Sequence, residues 1–154
     1  MQGMSVCQLN NKFTLILQNK EKVIQVKICK PVAKTQELCN ILVSRTDASL
    51  VHASNNKLLA IGGQCTKTRA ILDSIEVYDL ILKIWQRCDL RMSNPLRSMT
   101  AASLPEGVIV MGGIDEQNKA RNDCFKIIGV NSIKKLSPMP LNLPKPTCVV
   151  ATAF

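Results

Sequence analysis

Short apolar runs and polar clusters alternate along the whole chain. FTLIL (13–17), LLAIGG (58–63), SIEVYDL (74–80) and VIVMGG (108–113) are each bounded by Asn, Gly, Pro, Asp or Lys. Runs of four to seven residues, rich in Val, Ile and Leu and closed by turn formers, predict strands. No segment sustains a helical period with a cap and a glycine stop. Asn10-Asn11, Asn55-Asn56 and Pro105-Glu106-Gly107 suit tight hairpin turns, because Asn and Gly tolerate positive φ. The pattern predicts an all-β chain.

Two of these runs end in paired glycines, Gly62-Gly63 and Gly112-Gly113, which stand 50 residues apart. Residues 44–63 lie without a gap over 94–113: a short apolar run, a polar turn, a second apolar run, then the glycine pair. Downstream of Gly63 come Tyr78, then Trp85 seven residues later, then a turn over 92–95. Double glycine, tyrosine, tryptophan and a Met-Pro-like turn at a period near 50 resemble the kelch repeat, a four-stranded propeller blade. In the second copy Phe125 takes the place of the tyrosine, and Ser132 or Ile133 stands where the tryptophan would be. A degenerate copy precedes both. NNKFTLIL (10–17) resembles NNKLLAIG (55–62), with VIQVKIC (23–29) and ELCNIL (37–42) as its last two strands.

The resemblance implies a partial kelch β-propeller of antiparallel four-stranded blades. The blades are a degenerate one over 1–43, one over 44–93 and one over 94–140, with the first strand of a further blade over 144–154. Three blades and a strand do not close a ring. The chain is therefore expected to be a piece of a longer propeller or to close by self-association. The isolated arc is expected to self-associate through uncovered edges.

Charge and composition narrow the chemistry. The net charge of +9 comes from lysines spread along the chain, and besides Tyr78 and Trp85 the aromatics are three phenylalanines. A solvated basic surface suited to an acidic partner is the better reading, and nucleic acid is not expected. No apolar run reaches membrane-spanning length, and no membrane partner is expected. The seven cysteines form no CxxC and accompany a single histidine, so reduced thiols of a cytoplasmic protein are expected, with no metal. Cys65 falls in a polar stretch beside Lys67 and Arg69, and an inert surface thiol is expected there. His52 lies inside a strand, and neither a nucleophile set nor a phosphate loop is present, so no enzyme and no cofactor are expected.

Recognition remains. In kelch propellers partners dock on loops between adjacent blades, here 42–47 and 92–97, and on loops within a blade, here 64–73 and 114–123. The resemblance places Arg97 at the position where the kelch turn often carries an arginine that grips acidic peptides. Asp47 holds that register in the preceding copy, with Arg45 two before it. Arg45, Arg69 and Arg121 are the secondary candidates. A guanidinium fork suits carboxylates and phosphates. The likeness is greatest to the propeller of BTB-kelch proteins. It implies a substrate adaptor of a cullin-type ubiquitin ligase. The alternatives are an actin-binding scaffold or a non-functional truncated product.

Overall fold

In a computed structural model, which describes residues 5–10, 13–17, 23–29, 32–53, 56–144 and 146, the chain is all-β with no helix among these residues. Three antiparallel four-stranded sheets follow one another. Blade 1 is β1 (Ser5–Asn10), β2 (Phe13–Leu17), β3 (Val23–Cys29) and β4 (Val32–Glu37). Blade 2 is β6 (Ser49–Ala53), β7 (Lys57–Ile61), β9 (Ser74–Asp79) and β10 (Ile84–Arg91). Blade 3 is β11 (Thr100–Leu104), β12 (Gly107–Met111), β13 (Cys124–Ile128) and β14 (Ser132–Lys135). A two-stranded ribbon, β5 (Arg45–Thr46) with β8 (Gln64–Cys65), stands at the head of blade 2. Strand β6 packs against β1 on one side and against β11 and β12 on the other.

Alternating side chains send blade 2 into two separate cores. One face carries Val51, Leu59, Ile61, Ile75 and Val77, which pack against Val108, Val110, Phe125 and Ile127 of blade 3 and against Met92, Leu96 and Met99 of the connector. The opposite face carries Leu50, Leu58, Ala60, Tyr78 and Trp85, which pack with Val23 of blade 1, Ile41 and Ala48. Each such aliphatic side chain taken from water contributes roughly 1.5–3 kcal/mol, so both faces of blade 2 are strongly committed. Tyr78 and Trp85 are cross-strand partners with ring centroids 5.2 Å apart. The indole N–H of Trp85 donates to the Cys39 carbonyl at 3.1 Å.

Three register readings change. The strand over 37–42 is not formed: β4 ends at Glu37, and residues 38–43 instead run across the Tyr78 face of blade 2. Leu38 N–H still donates to Val23 O at 2.8 Å, but beyond it Cys39 O, Leu42 N–H and Val43 N–H bond to the side chains of Trp85 and Glu76 in blade 2. Second, the ungapped overlay of 44–63 on 94–113 slips by one. Ser49 pairs Ile61 and Ala53 pairs Lys57, whereas Thr100 pairs Met111 and Leu104 pairs Gly107. Three residues turn the first hairpin and two turn the second, so Arg45, Thr46 and Asp47 correspond to Leu96, Arg97 and Ser98. Asp47 and Ser98 share a positive φ, 54° and 55°. Third, Leu58 pairs Tyr78 where Val108 pairs Ile127, so the tyrosine's counterpart is Ile127, and Phe125 corresponds to Glu76. Ile133, opposite Ile127, corresponds to Trp85 and packs on the core. The strand expected over 144–154 lies outside the described residues except for Pro144 and Pro146.

Each glycine pair is a junction between blades. Gly62 N–H donates to Ser74 O at 3.0 Å and Gly63 N–H to Leu96 O at 2.9 Å. Gly112 N–H donates to Asp123 O at 2.9 Å and Gly113 N–H to Leu143 O at 3.0 Å. The first glycine thus ties its own blade and the second ties the connector beyond. A Cβ on Gly62, at φ +57°, would lie 2.4 Å from Leu96 O. Gly62→Ala should therefore cost the left-handed backbone penalty of about 1–2 kcal/mol and, in addition, push the connector away. Gly129 has φ +60° with nothing within 4 Å of its Cβ position, so Gly129→Ala should cost the backbone penalty alone. Urea unfolding of the two variants measures the difference, and equal losses would show that the close approach at Gly62 contributes nothing.

Candidate functional site

The connectors and the within-blade loops meet at one end of blades 2 and 3. Arg45 pairs Cys65 and Thr46 pairs Gln64 in the β5–β8 ribbon, and Ser44 Oγ and Thr66 Oγ1 stand 2.6 Å apart. In blade 3 Arg97 pairs Ile114 in the same way, with backbone bonds of 3.0 and 2.8 Å. These ribbons carry Arg45 and Arg97, and Arg69 and Arg121 lie in the loops that follow them.

Arg45 leaves the docking set, because it is buried. Its guanidinium forms an ion pair with Glu76 and donates to Gly62 O at 3.0 Å and to Ser74 O at 3.1 Å. The Glu76 carboxylate also accepts Leu42 N–H at 2.8 Å and Val43 N–H at 2.9 Å. Burial pulls the Arg45 pKa down and the charge of Glu76 opposes that shift. The pair is thus a hub: connector, glycine turn and β9 all end on it. The corresponding positions in blade 3 hold Leu96 and Phe125, both in the apolar core. The sequence carries a signal for Glu76. It lies two residues before Tyr78, so a charge shares the tyrosine's buried face.

Arg97 is half-buried, and its Nη2 donates to Asn118 Oδ1 at 2.9 Å. Asn118 sits in a turn shaped by Asp115, whose Oδ1 accepts Gln117 N–H at 3.0 Å and Lys119 N–H at 2.8 Å. Arg121 joins the same loop. Its guanidinium lies 3.7 Å from Asp115 and 3.1 Å from Asp123, and Lys135 reaches Asp123 at 3.3 Å. Two of the four arginines therefore converge on one loop, Arg121 already neutralised by carboxylates and Arg97 held by a neutral amide. Arg69 is exposed at the tip of the 64–73 loop with φ 63°, and Gln64 Nε2 donates to its carbonyl at 2.8 Å.

Cys65 is buried in β8 and not on the surface. Its thiol pKa is lowered first by hydrogen bonding to Thr68, with the Arg45 charge a minor cause. His52 lies in β6, where burial lowers its pKa. Among the described residues no group of three or more His, Cys, Asp or Glu side chains could hold a metal ion.

Residues 48–89 match the family described as "Kelch motif". They contain Gly62, Gly63, Tyr78 and Trp85, so the motif coincides with blade 2. In fold, the chain is similar to the propeller structure of YjhT, with a TM-score of 0.79 and 9% identity over 90% of this chain and 51% of that chain. This chain thus spans about half the length of that relative. Comparison with curated proteins finds no match. The chain is thus all-β, built of antiparallel four-stranded sheets with the fold of part of a β-propeller, and carries a kelch motif in blade 2.

The buried pair yields a test. Removing one partner of a buried ion pair leaves an uncompensated charge and costs about 3–5 kcal/mol. Glu76→Gln should lose that much in denaturant unfolding. Adding Arg45→Met should recover part of it, since no charge is then left, although the single amide oxygen replaces two carboxylate oxygens that accept separately from Leu42 and Val43. Losses that simply add would show that the two side chains are not coupled.

Proposed function

We propose that the chain is a non-enzymatic protein-interaction module that docks an acidic segment of a partner protein on the loop face of blades 2 and 3. The observation that carries this reading is Arg97: a half-exposed guanidinium on the loop face, hydrogen-bonded to the uncharged amide of Asn118, in a chain of net charge +9. A carboxylate can replace or join Asn118 without breaking an existing ion pair. Arg121, by contrast, would have to leave two aspartates.

At a finer level we read the chain as part of a kelch-like substrate adaptor of a cullin-type ubiquitin ligase, acting in the cytoplasm. Cys39, Cys65, Cys88 and Cys124 are free thiols, in keeping with a reducing compartment. The basic surface also suits actin, the alternative partner. Affinity capture with mass spectrometry separates the two: ligase subunits and their substrates support the adaptor, and actin supports the scaffold.

With the captured partner in hand, Arg97→Ala should remove a charge-assisted contact worth roughly 1.5–3 kcal/mol, about 10- to 150-fold in affinity. Arg97→Lys should restore little, because an ammonium lacks the fork. Added salt should weaken the parent complex more than the variant complex. Unchanged affinity in a folded Arg97→Ala chain would remove the loop face from the account.

A further inference from the structure

The end of blade 2 remote from these loops carries an apolar projection. The turn between β9 and β10 reads Leu80-Ile81-Leu82-Lys83, and Ile81, Leu82 and Ile84 are 72%, 62% and 44% exposed. The corresponding turn of blade 3 behaves differently. Val130 folds back onto the core, its carbonyl accepting from Cys88 Sγ at 3.4 Å. The blade 2 turn is also tied down, Lys83 O accepting from Cys39 Sγ at 3.2 Å and Leu80 packing on the core, but Ile81, Leu82 and Ile84 stay exposed.

The turn is also rigid and self-satisfied. Asp79 Oδ1 accepts Ile81 N–H at 2.8 Å and Leu82 N–H at 2.9 Å, and Asp79 O accepts Lys83 N–H at 2.7 Å. Asn56 O accepts Leu80 N–H at 2.9 Å. All four amide hydrogens from Leu80 to Lys83 are therefore bonded within the protein. A hydrocarbon environment imposes that condition, because it offers no water to an open N–H. A groove on another protein does not require it. The one carboxylate at the base, Asp79, is paired with Lys57 at 2.8 Å, and its pKa is held at about 2, first by that hydrogen bond. The charges left over around the apex are the exposed Lys83 and Arg87. An apolar apex with bonded amides, a basic collar and a chain of net charge +9 has the chemistry of a group that enters a negatively charged lipid interface.

We propose that the β9–β10 turn is a lipid-docking tip, which inserts Ile81 and Leu82 into the interface of an anionic phospholipid bilayer with Lys83 and Arg87 at the headgroups. A surface attachment needs no spanning segment, so the absence of a long apolar run is no obstacle. The tip is at the opposite end of the blade from Arg97, which leaves the protein-docking face open while the tip is seated.

Sedimentation of the full chain with vesicles tests this. Two compositions suffice, phosphatidylcholine alone and three parts phosphatidylcholine to one part phosphatidylserine. The chain should bind the second mixture well above the first, and added salt should weaken binding. Ile81→Asn with Leu82→Asn should lower binding to the mixed vesicles by about tenfold or more. Because both side chains are exposed, the urea midpoint should stay within the range of surface changes. Lys83→Glu should lower binding to the mixed vesicles and leave the residual binding to phosphatidylcholine unchanged. Leu82→Trp should add an emission component that shifts to the blue with the mixed vesicles. A parent chain that stays in the supernatant with both compositions would overturn the proposal. So would equal binding by the double asparagine variant. A double variant whose only change is loss of self-association would assign the tip to a second copy of this chain and overturn the lipid reading.

Discussion

A propeller blade has two apolar faces, and each must be covered by something. Blade 2 meets this requirement on both sides and organises the chain around itself. One face packs on blade 3, and the other packs on Val23 and on the connector over 38–43. Burial of about a dozen aliphatic and aromatic side chains supplies the driving force, and the sheet's hydrogen bonds fix which residues face which core. A one-residue slip in β7 or β9 would exchange the two faces, and would move Glu76 from its arginine into the aliphatic core.

Two polar devices hold that register. The glycine pairs let a connector approach within hydrogen-bonding distance of a strand end, at a spacing that no Cβ allows. The Arg45–Glu76 pair then gathers the connector into blade 2. Its partners include two backbone amides and two carbonyls, so it anchors Leu42 and Val43, which lie outside any strand. Blade 3 solves the same junction with Leu96 and Phe125. A buried ion pair and an apolar pair at equivalent positions of one chain agree with the general finding that such pairs can be exchanged with little net change in stability. What differs is specificity: the charged junction recruits named amides, and the apolar one does not.

The fold was largely legible in the sequence. Alternating runs ended by Gly62-Gly63 and Gly112-Gly113, followed by Tyr78 and Trp85, point to four-stranded blades, and the sheets are there. The finer register was not. The turns after Ala53 and Leu104 differ by one residue, and an ungapped overlay of the two copies absorbs that difference silently. It puts Asp47 in place of Thr46 opposite Arg97. Phe125 takes the tyrosine's place only as an aromatic: the loop from Gly112 to Asp123 is one residue shorter than that from Gly62 to Ser74, and the pairing puts Ile127 there. ELCNIL reads as a strand because its apolar residues are real contacts: Leu38 and Ile41 are packed against the face of blade 2, and only Leu38 N–H, on Val23 O, continues the ladder. Arg45 looked like a loop arginine, since only the structure brings Glu76, far away in sequence, to its guanidinium. Arg97 pairs with Ile114, and its hold on Asn118 depends on the turn built by Asp115. Residue spacing alone does not show that turn.

This arrangement separates the buried contacts from the exposed loop side chains along the blades. The cores and the buried pair lie in the sheets. The side chains with unfilled capacity, Arg97 among them, lie on turns braced by short-range bonds. Opening of the structure should follow the same division, since local stability tracks buried contacts. Native-state hydrogen exchange measures it residue by residue. The account predicts that the slowest amides are those of β7 and β9, exchanging only through global unfolding, with β14 and the 114–123 loop exchanging through smaller openings. Slowest exchange in blade 3, or β7 and β9 opening before it, would contradict the claim that blade 2, covered on both faces, holds the structure together.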